Sequence, residues 1–423
     1  MAVGSGLSSS FGIATETTVG TPAAVTRFFE FDSETLSLRK KIVQGVGLRG
    51  GGIDKRAARR ILVSREAQGD VTLSPTTNGY GLLISHLLGS FTATATSIGS
   101  GLYQQIHNPG PLAGKTFTGQ LVRPDTTGTL TQEAFTYTGC KVTGWEISST
   151  QGGEVKLKMT VDALDEATPS NGFANTVLSA LTVAGATSMS TAATIPTGSW
   201  VTVGIAGIGA EVVQTGVPSG AGPYTIPVVS PGGLTLPHPS ASPVGSATGV
   251  NYVVGTALQA ASYTAGTNLF AFEEGQLIAG GTTSVVGGVW TNTGGQPVGN
   301  VRKVLLKVKN QLKVDRYALG QLTRNEQLDN GFRDYMGTFD IEYGGRAFYD
   351  AFASDTPIAM QLKFTTPQGG VLQFYMPMAF QNDGSCPQVG GPDVIVQKIA
   401  LEFLNDGTNG AMQVVYTSTD VSL

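Results

Sequence analysis

The residue types that perform most protein chemistry are scarce in this chain. Its 423 residues hold three histidines, His86, His107 and His238, and two cysteines, Cys140 and Cys386. The cysteines lie far apart and make no metal or disulfide framework. His86 falls in the apolar run Gly81-Leu-Leu-Ile-Ser-His-Leu-Leu-Gly89 and reads as a packed histidine. His238 stands between two prolines with no acidic or thiol partner nearby. Gly45-Val-Gly-Leu-Arg-Gly50 fits the dinucleotide pattern G-x-G-x-x-G. That chemistry needs a buried parallel strand before the glycines and a βαβ unit around them. Here a polar strand precedes and a Lys/Arg-rich segment follows, so the motif reads as a flexible glycine loop. With no Gly-x-Ser-x-Gly, no supported carboxylate pair and no Cys/His cluster, the sequence predicts no enzyme, no cofactor and no metal site.

The same loop carries the one chemically distinctive cluster. Arg39, Lys40, Lys41, Arg49, Lys55, Arg56, Arg59, Arg60 and Arg65 are offset locally only by Asp54 and Glu66. Nucleic-acid binding would want interleaved aromatics, and the segment has none. A loop of this length without structure is uncommon unless functional. Arg39, Lys40, Lys41, Arg49, Lys55, Arg56, Arg59 and Arg60 are therefore expected to meet an acidic surface on a neighbouring subunit.

Composition limits the rest. Charged residues are 13% of the chain, about half the usual ~25%. Thr, Ser, Gly and Ala take their place, which suits strands and turns better than long surface helices. A net charge of −4 argues against a dedicated nucleic-acid binder. No apolar run approaches the ~20 residues of a membrane-spanning helix, and the first residues have no basic or apolar signal region. At ~150 residues per domain the length suggests two or three domains.

Between Glu166 and Glu273 the only charged side chain is Glu211. Such a step in composition marks an inserted unit. Strand-like runs are read at 177–183, 200–205, 210–215, 224–229 and 251–254, separated by turn signals, and imply a small β-barrel or sandwich.

The flanks resemble each other. Segment 31–40 matches 307–316, 68–73 matches 336–341, the helical run 80–88 matches 346–352, 135–140 matches 374–379, and 154–166 matches 394–406. Strict alternation in 154–163 puts Val155, Leu157, Met159 and Val161 on a core face. It puts Glu154, Lys156, Lys158 and Asp162 toward water. The shared order, strand, long loop, strand, helix and further strands, points to duplication. Domains are expected at 1–175, 176–258 and 259–423.

The residues also resemble a known family. The opening 4–22, Gly-Ser-Gly-Leu-Ser-Ser-Ser-Phe-Gly-Ile-Ala-Thr-Glu-Thr-Thr-Val-Gly-Thr-Pro, followed by Arg27-Phe-Phe-Glu-Phe31, is similar to the start of tail tube (major tail) proteins of long, non-contractile-tailed bacteriophages. Further likeness lies in Asn78-Gly-Tyr-Gly, Phe135-Thr-Tyr-Thr-Gly-Cys-Lys-Val-Thr-Gly-Trp145, Asp315-Arg-Tyr-Ala-Leu-Gly320, Val389-Gly-Gly-Pro-Asp393 and Asp406-Gly-Thr-Asn409. The resemblance covers 1–170 and 265–423, and 176–258 looks like an outer decoration domain. It implies a mainly β chain. Two tandem antiparallel β-sandwich domains, each with one short flanking helix, would carry a small all-β insert. It further implies trimeric, pseudo-six-fold rings that stack into a virion tail tube, assembled in the host cytoplasm, through which DNA passes without sequence-specific binding, with the basic 39–65 loop expected to face acidic surface on the next ring or the neighbouring subunit. Implied partners are the chain itself and tape measure, terminator and distal tail proteins, with no membrane. The competing reading is a virion-surface or secreted carbohydrate-binding β protein.

Overall fold

A computed structural model describes residues 6–47, 54–91, 93–124, 132–167, 176–195, 197, 200–204, 211–230, 232–246, 259, 261–382 and 384–423. The chain gathers into two compact units. One comprises Met1–Phe28, Phe117–Gly139 and Asp165–Ser262; the other comprises Phe29–Thr116, Cys140–Leu164 and Tyr263–Leu423.

The second unit contains, among other strands, a run of eight: β1 (Ser37–Gln44), β2 (Arg60–Leu73), β3 (Gln132–Thr150, of which the part from Cys140 belongs here), β4 (Lys156–Ala163), β5 (Val301–Lys309), β6 (Asp334–Glu342), β7 (Val371–Gln381) and β8 (Val396–Leu404). Their antiparallel spatial order is β1-β2-β4-β3-β5-β6-β8-β7. Every second residue is apolar, so one face is buried: Leu157, Met159 and Val161 on β4, Val304, Leu306 and Val308 on β5, Phe339 and Ile341 on β6. Lys158 on the other face is exposed, as the alternation predicts, but Asp162 is not. It is 2% exposed, because 310–333 folds across it.

Helix α1 (Gly81–Leu88) closes the apolar face near Trp145 and Ile147 and ends on Gly89, whose φ of 74° is the left-handed cap that glycine adopts without strain. The expected stripe of Leu83, Leu87 and Leu88 is buried, and so are Ile84, Ser85 and His86. Its counterpart α2 (Ala347–Ala353) has no buried residue.

Strand register demonstrates the duplication. Leu73 pairs with Leu157 and Gln68 with Asp162, as Ile341 pairs with Gln397 and Met336 with Glu402. Asp162 then faces Lys141 on β3 as Glu402 faces Phe380 on β7. These pairs reproduce the sequence matches for 68–73, 135–140 and 154–166. The match of 31–40 slips by six: Ser37 lies opposite Gln68 as Lys307 lies opposite Met336, so Ser37, not Phe31, corresponds to Lys307.

The first unit contains an antiparallel pair, Ser10–Thr15 with Phe117–Pro124, whose Phe11, Ile13, Phe117 and Leu121 are buried. It also contains the charge-poor stretch. Six short antiparallel strands follow the order Thr176–Val177, Pro243–Ser246, Trp200–Val203, Glu211–Thr215, Tyr224–Ser230, Ser188–Thr191. A bridge between Leu178 and Thr191 returns the last strand to the first and closes a barrel. Leu178, Met189, Val201, Val203, Val213 and Ile226 fill it. Strands 188–191 and 243–246 were not anticipated from sequence, and the expected strand at 251–254 lies outside the described residues.

Candidate assembly surfaces

The basic segment is an arm rather than an unstructured loop. β1 and the start of β2 form a hairpin in which Lys40 lies opposite Arg65, Ile42 opposite Leu62, Val43 opposite Ile61 and Gln44 opposite Arg60, with an irregularity after Lys41. The β-branched Ile42, Val43 and Ile61 favour this pairing. Lys55 and Arg56 follow the loop, and Arg59 ends a short 3-10 turn that leads into Arg60. Arg49 lies outside the described residues. Arg39 donates from Nη1 to Oε1 of Gln68 at 2.8 Å. Lys40, Lys41, Lys55, Arg56, Arg59 and Arg60 are exposed and form no ion pair among the described residues. Ile61 is 64% exposed and Val43 47%. The arm thus joins an unpaired edge, β1, to exposed apolar side chains at Val43 and Ile61, and unpaired edges and exposed apolar groups mark association surfaces.

The second feature is an internal joint. β3 of the first repeat pairs with β5 of the second from Gly144↔Lys309 to Thr150↔Lys303. By register, β1 is the counterpart of β5. The edge of β5 that β3 covers is therefore the edge that β1 leaves unpaired among the described strands.

The third is a buried polar cluster that sequence reading missed. The connection between β5 and β6 crosses the first repeat. Arg324 Nη2 lies 2.6 Å from Asp162 Oδ1, and Nη1 lies 3.2 Å from Glu66 Oε2. Gln327 donates to Asp162 Oδ2 at 2.8 Å. Lys141 Nζ donates to Glu326 Oε1 at 2.6 Å and to the Gln327 carbonyl at 2.5 Å. Tyr317 donates its hydroxyl to Glu66 Oε2 at 2.7 Å. Burial raises the Asp162 carboxyl above its usual pKa, which the Arg324 guanidinium offsets only in part. Burial likewise lowers Lys141 against the pull of Glu326. The sequence carried no signal for this cluster, since alternation in 154–163 assigned Asp162 to water.

The remaining candidates are structural. Burial pushes His86 down to about 3 and His107 to about 4, so both are neutral packing groups near pH 7. Glu211 accepts from Thr235 N–H at 2.6 Å, Thr235 Oγ1 at 2.7 Å and Leu236 N–H at 3.0 Å, and lies 2.8 Å from His238 Nε2. The single charge of the stretch thus ties the 232–238 loop to a barrel strand. Cys140 is buried and Cys386 half-buried, both as thiols. No group of three or more His, Cys, Asp or Glu that could hold a metal occurs among the described residues. No helix there is long and apolar enough to cross a membrane.

Two antiparallel β repeats joined strand to strand, with the β1 edge unpaired among the described strands, define the class: a duplicated β-sheet protein. The chain matches the family described as phage tail tube protein over residues 6–220 and 239–403, and it belongs to that family. It is a structural component of the phage tail. The matched span also takes in much of the charge-poor stretch. No curated protein matches the chain.

Proposed function

We propose that three copies close into a pseudo-six-fold ring, that the rings stack into the tail tube, and that phage DNA passes through it. The observation that carries this reading is the joint between β3 and β5. It couples two equivalent repeats edge to edge, and the unpaired β1 edge allows the same coupling to recur between chains. A closed ring removes every free edge, which an open sheet of this length could not do.

The polar face of the eight strands suits a channel lining. Lys158 pairs with Asp70 at 3.0 Å and Lys307 approaches Glu146 at 3.9 Å. Positive and negative charges are interspersed on it, so DNA phosphates meet no uniform cationic surface to bind. The repeats are 1–175 and 259–423, and 176–258 sits outside as a decoration. Arg39, Lys40, Lys41, Arg49, Lys55, Arg56, Arg59 and Arg60 serve contacts between rings or between subunits. Tape measure, terminator and distal tail proteins are the further partners, no membrane is involved, and assembly takes place in the host cytoplasm. Negative-stain microscopy of the purified chain tests the reading. Rings or tubules are expected; a protein that stays monomeric at all concentrations would refute it.

A further inference from the structure

We infer that the basic arm docks sideways, on the second repeat of the adjacent copy in the same ring, with its cations on Asp334 and Glu402. This rests on the ring reading above and assigns one of its contacts.

The chain contains its own template. Segment 310–333 links β5 to β6, as the arm links β1 to β2. Segment 310–333 lies over Glu66, Asp162 and Lys141 of the repeat that precedes it. Register gives the counterparts of those residues. Glu66 faces Arg39 as Asp334 faces Lys309. Asp162 corresponds to Glu402 and Lys141 to Phe380. The surface that receives a connection in the first repeat is therefore matched, in the second, by Asp334, Glu402 and Phe380.

Among the described residues, no connection covers that second surface as 310–333 covers Asp162. The Glu402 side chain is exposed and has no hydrogen bond or ion pair among the described residues, whereas Asp162 is covered. Asp334 accepts only from Gln311 among described side chains, at 2.6 Å. Leu404 beside Glu402 is 43% exposed. In the arm the complementary groups are equally bare, with Lys40 and Lys41 beside Ile42 and Val43. Asn310, the position equivalent to Lys40, donates to the carbonyls of Val142 and Leu87 at 2.8 and 3.1 Å. Lys40 has the reach to donate to the corresponding carbonyls around Gln381. Opposite charge meets opposite charge, and apolar meets apolar, along a continuation of the existing joint. The occupant is a second copy of this chain.

Unmodified full-length protein provides the first test. Rings assembled from a mixture of light and nitrogen-15-labelled chains are treated with a carbodiimide, which joins lysine to carboxylate, and digested for mass spectrometry. Lys40 or Lys41 should be linked to Asp334 or Glu402 in mixed-label peptides. Rings in which those lysines link only to other carboxylates overturn the assignment. Charge exchange is the second test, with circular dichroism as the folding control. Lys40→Glu with Lys41→Glu, or Asp334→Lys with Glu402→Lys, should cut ring yield about tenfold or more through the loss of several screened pairs. The combined four-site chain should restore it. Lack of rescue in a folded combined chain, or normal rings from either pair alone, overturns the proposal. Failure of the unmodified protein to form any ring overturns the ring reading instead.

Discussion

Arg324 in the second repeat holds Asp162 in the first through an Nη2–Oδ1 contact of 2.6 Å, with side chains only 2% and 3% exposed. The ion pair ties a connection of one repeat to a strand of the other, and Gln327 and Glu66 complete the cluster. A carboxylate this buried depends on its partner.

Arg324→Met should therefore destabilise the chain by about 3–5 kcal/mol, because it strands a buried charge. Arg324→Met combined with Asp162→Leu should recover most of that loss, since removing both charges also removes the desolvation penalty. Chemical denaturation of the unassembled protein, with both variants in parallel, measures the difference.

Gly69 and Gly337 occupy equivalent positions on β2 and β6, yet they should respond differently to alanine. A Cβ at Gly69 would run into the backbone of Thr35 and Leu36, whereas at Gly337 it would meet the tip of the Phe403 ring at 2.5 Å. A ring can shift and a paired backbone cannot. Gly69→Ala should cost about 1–3 kcal/mol and Gly337→Ala less, read as a difference in denaturation midpoint.

The repeats were legible where one strand face is buried. β4 and β8 share the pattern of Met159 with Ile399 and Val161 with Leu401, and burial enforces it. β1 is exposed along most of its length, whereas β5 buries Val304, Leu306 and Val308. With no core face to impose alternation, the sequence match of 31–40 slipped by six residues. The arm read as a loop for a related reason: Val43 and Ile61 pair across a hairpin that no described residue buries. The Arg324–Asp162 cluster was invisible because its members lie 162 residues apart, and alternation alone assigned Asp162 to water.

Glu211 gives the barrel an acid limit. Its burial alone would raise the carboxyl, but hydrogen bonds from Thr235, His238 and Leu236 more than compensate and hold it below the usual range. The unfolded chain therefore binds the proton first as pH falls. The stabilisation is complete above the ordinary glutamate pKa of ~4.3 and fades as pH drops toward the folded value. Thermal unfolding of the isotopically labelled protein, followed at Val203 and Val213 amides between pH 7 and 3, should show this fall. Glu211→Gln should be less stable at pH 7 and should lack that pH dependence.

Replacement of 176–258 by a short Gly/Ser linker should leave tubes intact but thinner, because the barrel has its own closed sheet and its own core. Diameter measured by negative-stain microscopy checks this. A folded deletion protein that makes no rings would place the barrel in the assembly interface.

The central claim is that one chain supplies two adjacent positions of the ring through the β3–β5 joint. Cryo-electron microscopy of assembled tubes, with the number of chains per ring counted directly, tests it most directly. Three chains per ring, each contributing the eight-strand run β1-β2-β4-β3-β5-β6-β8-β7 to one continuous wall, is the predicted result. Six whole chains per ring, or a wall in which β3 and β5 of one chain are apart, would contradict it.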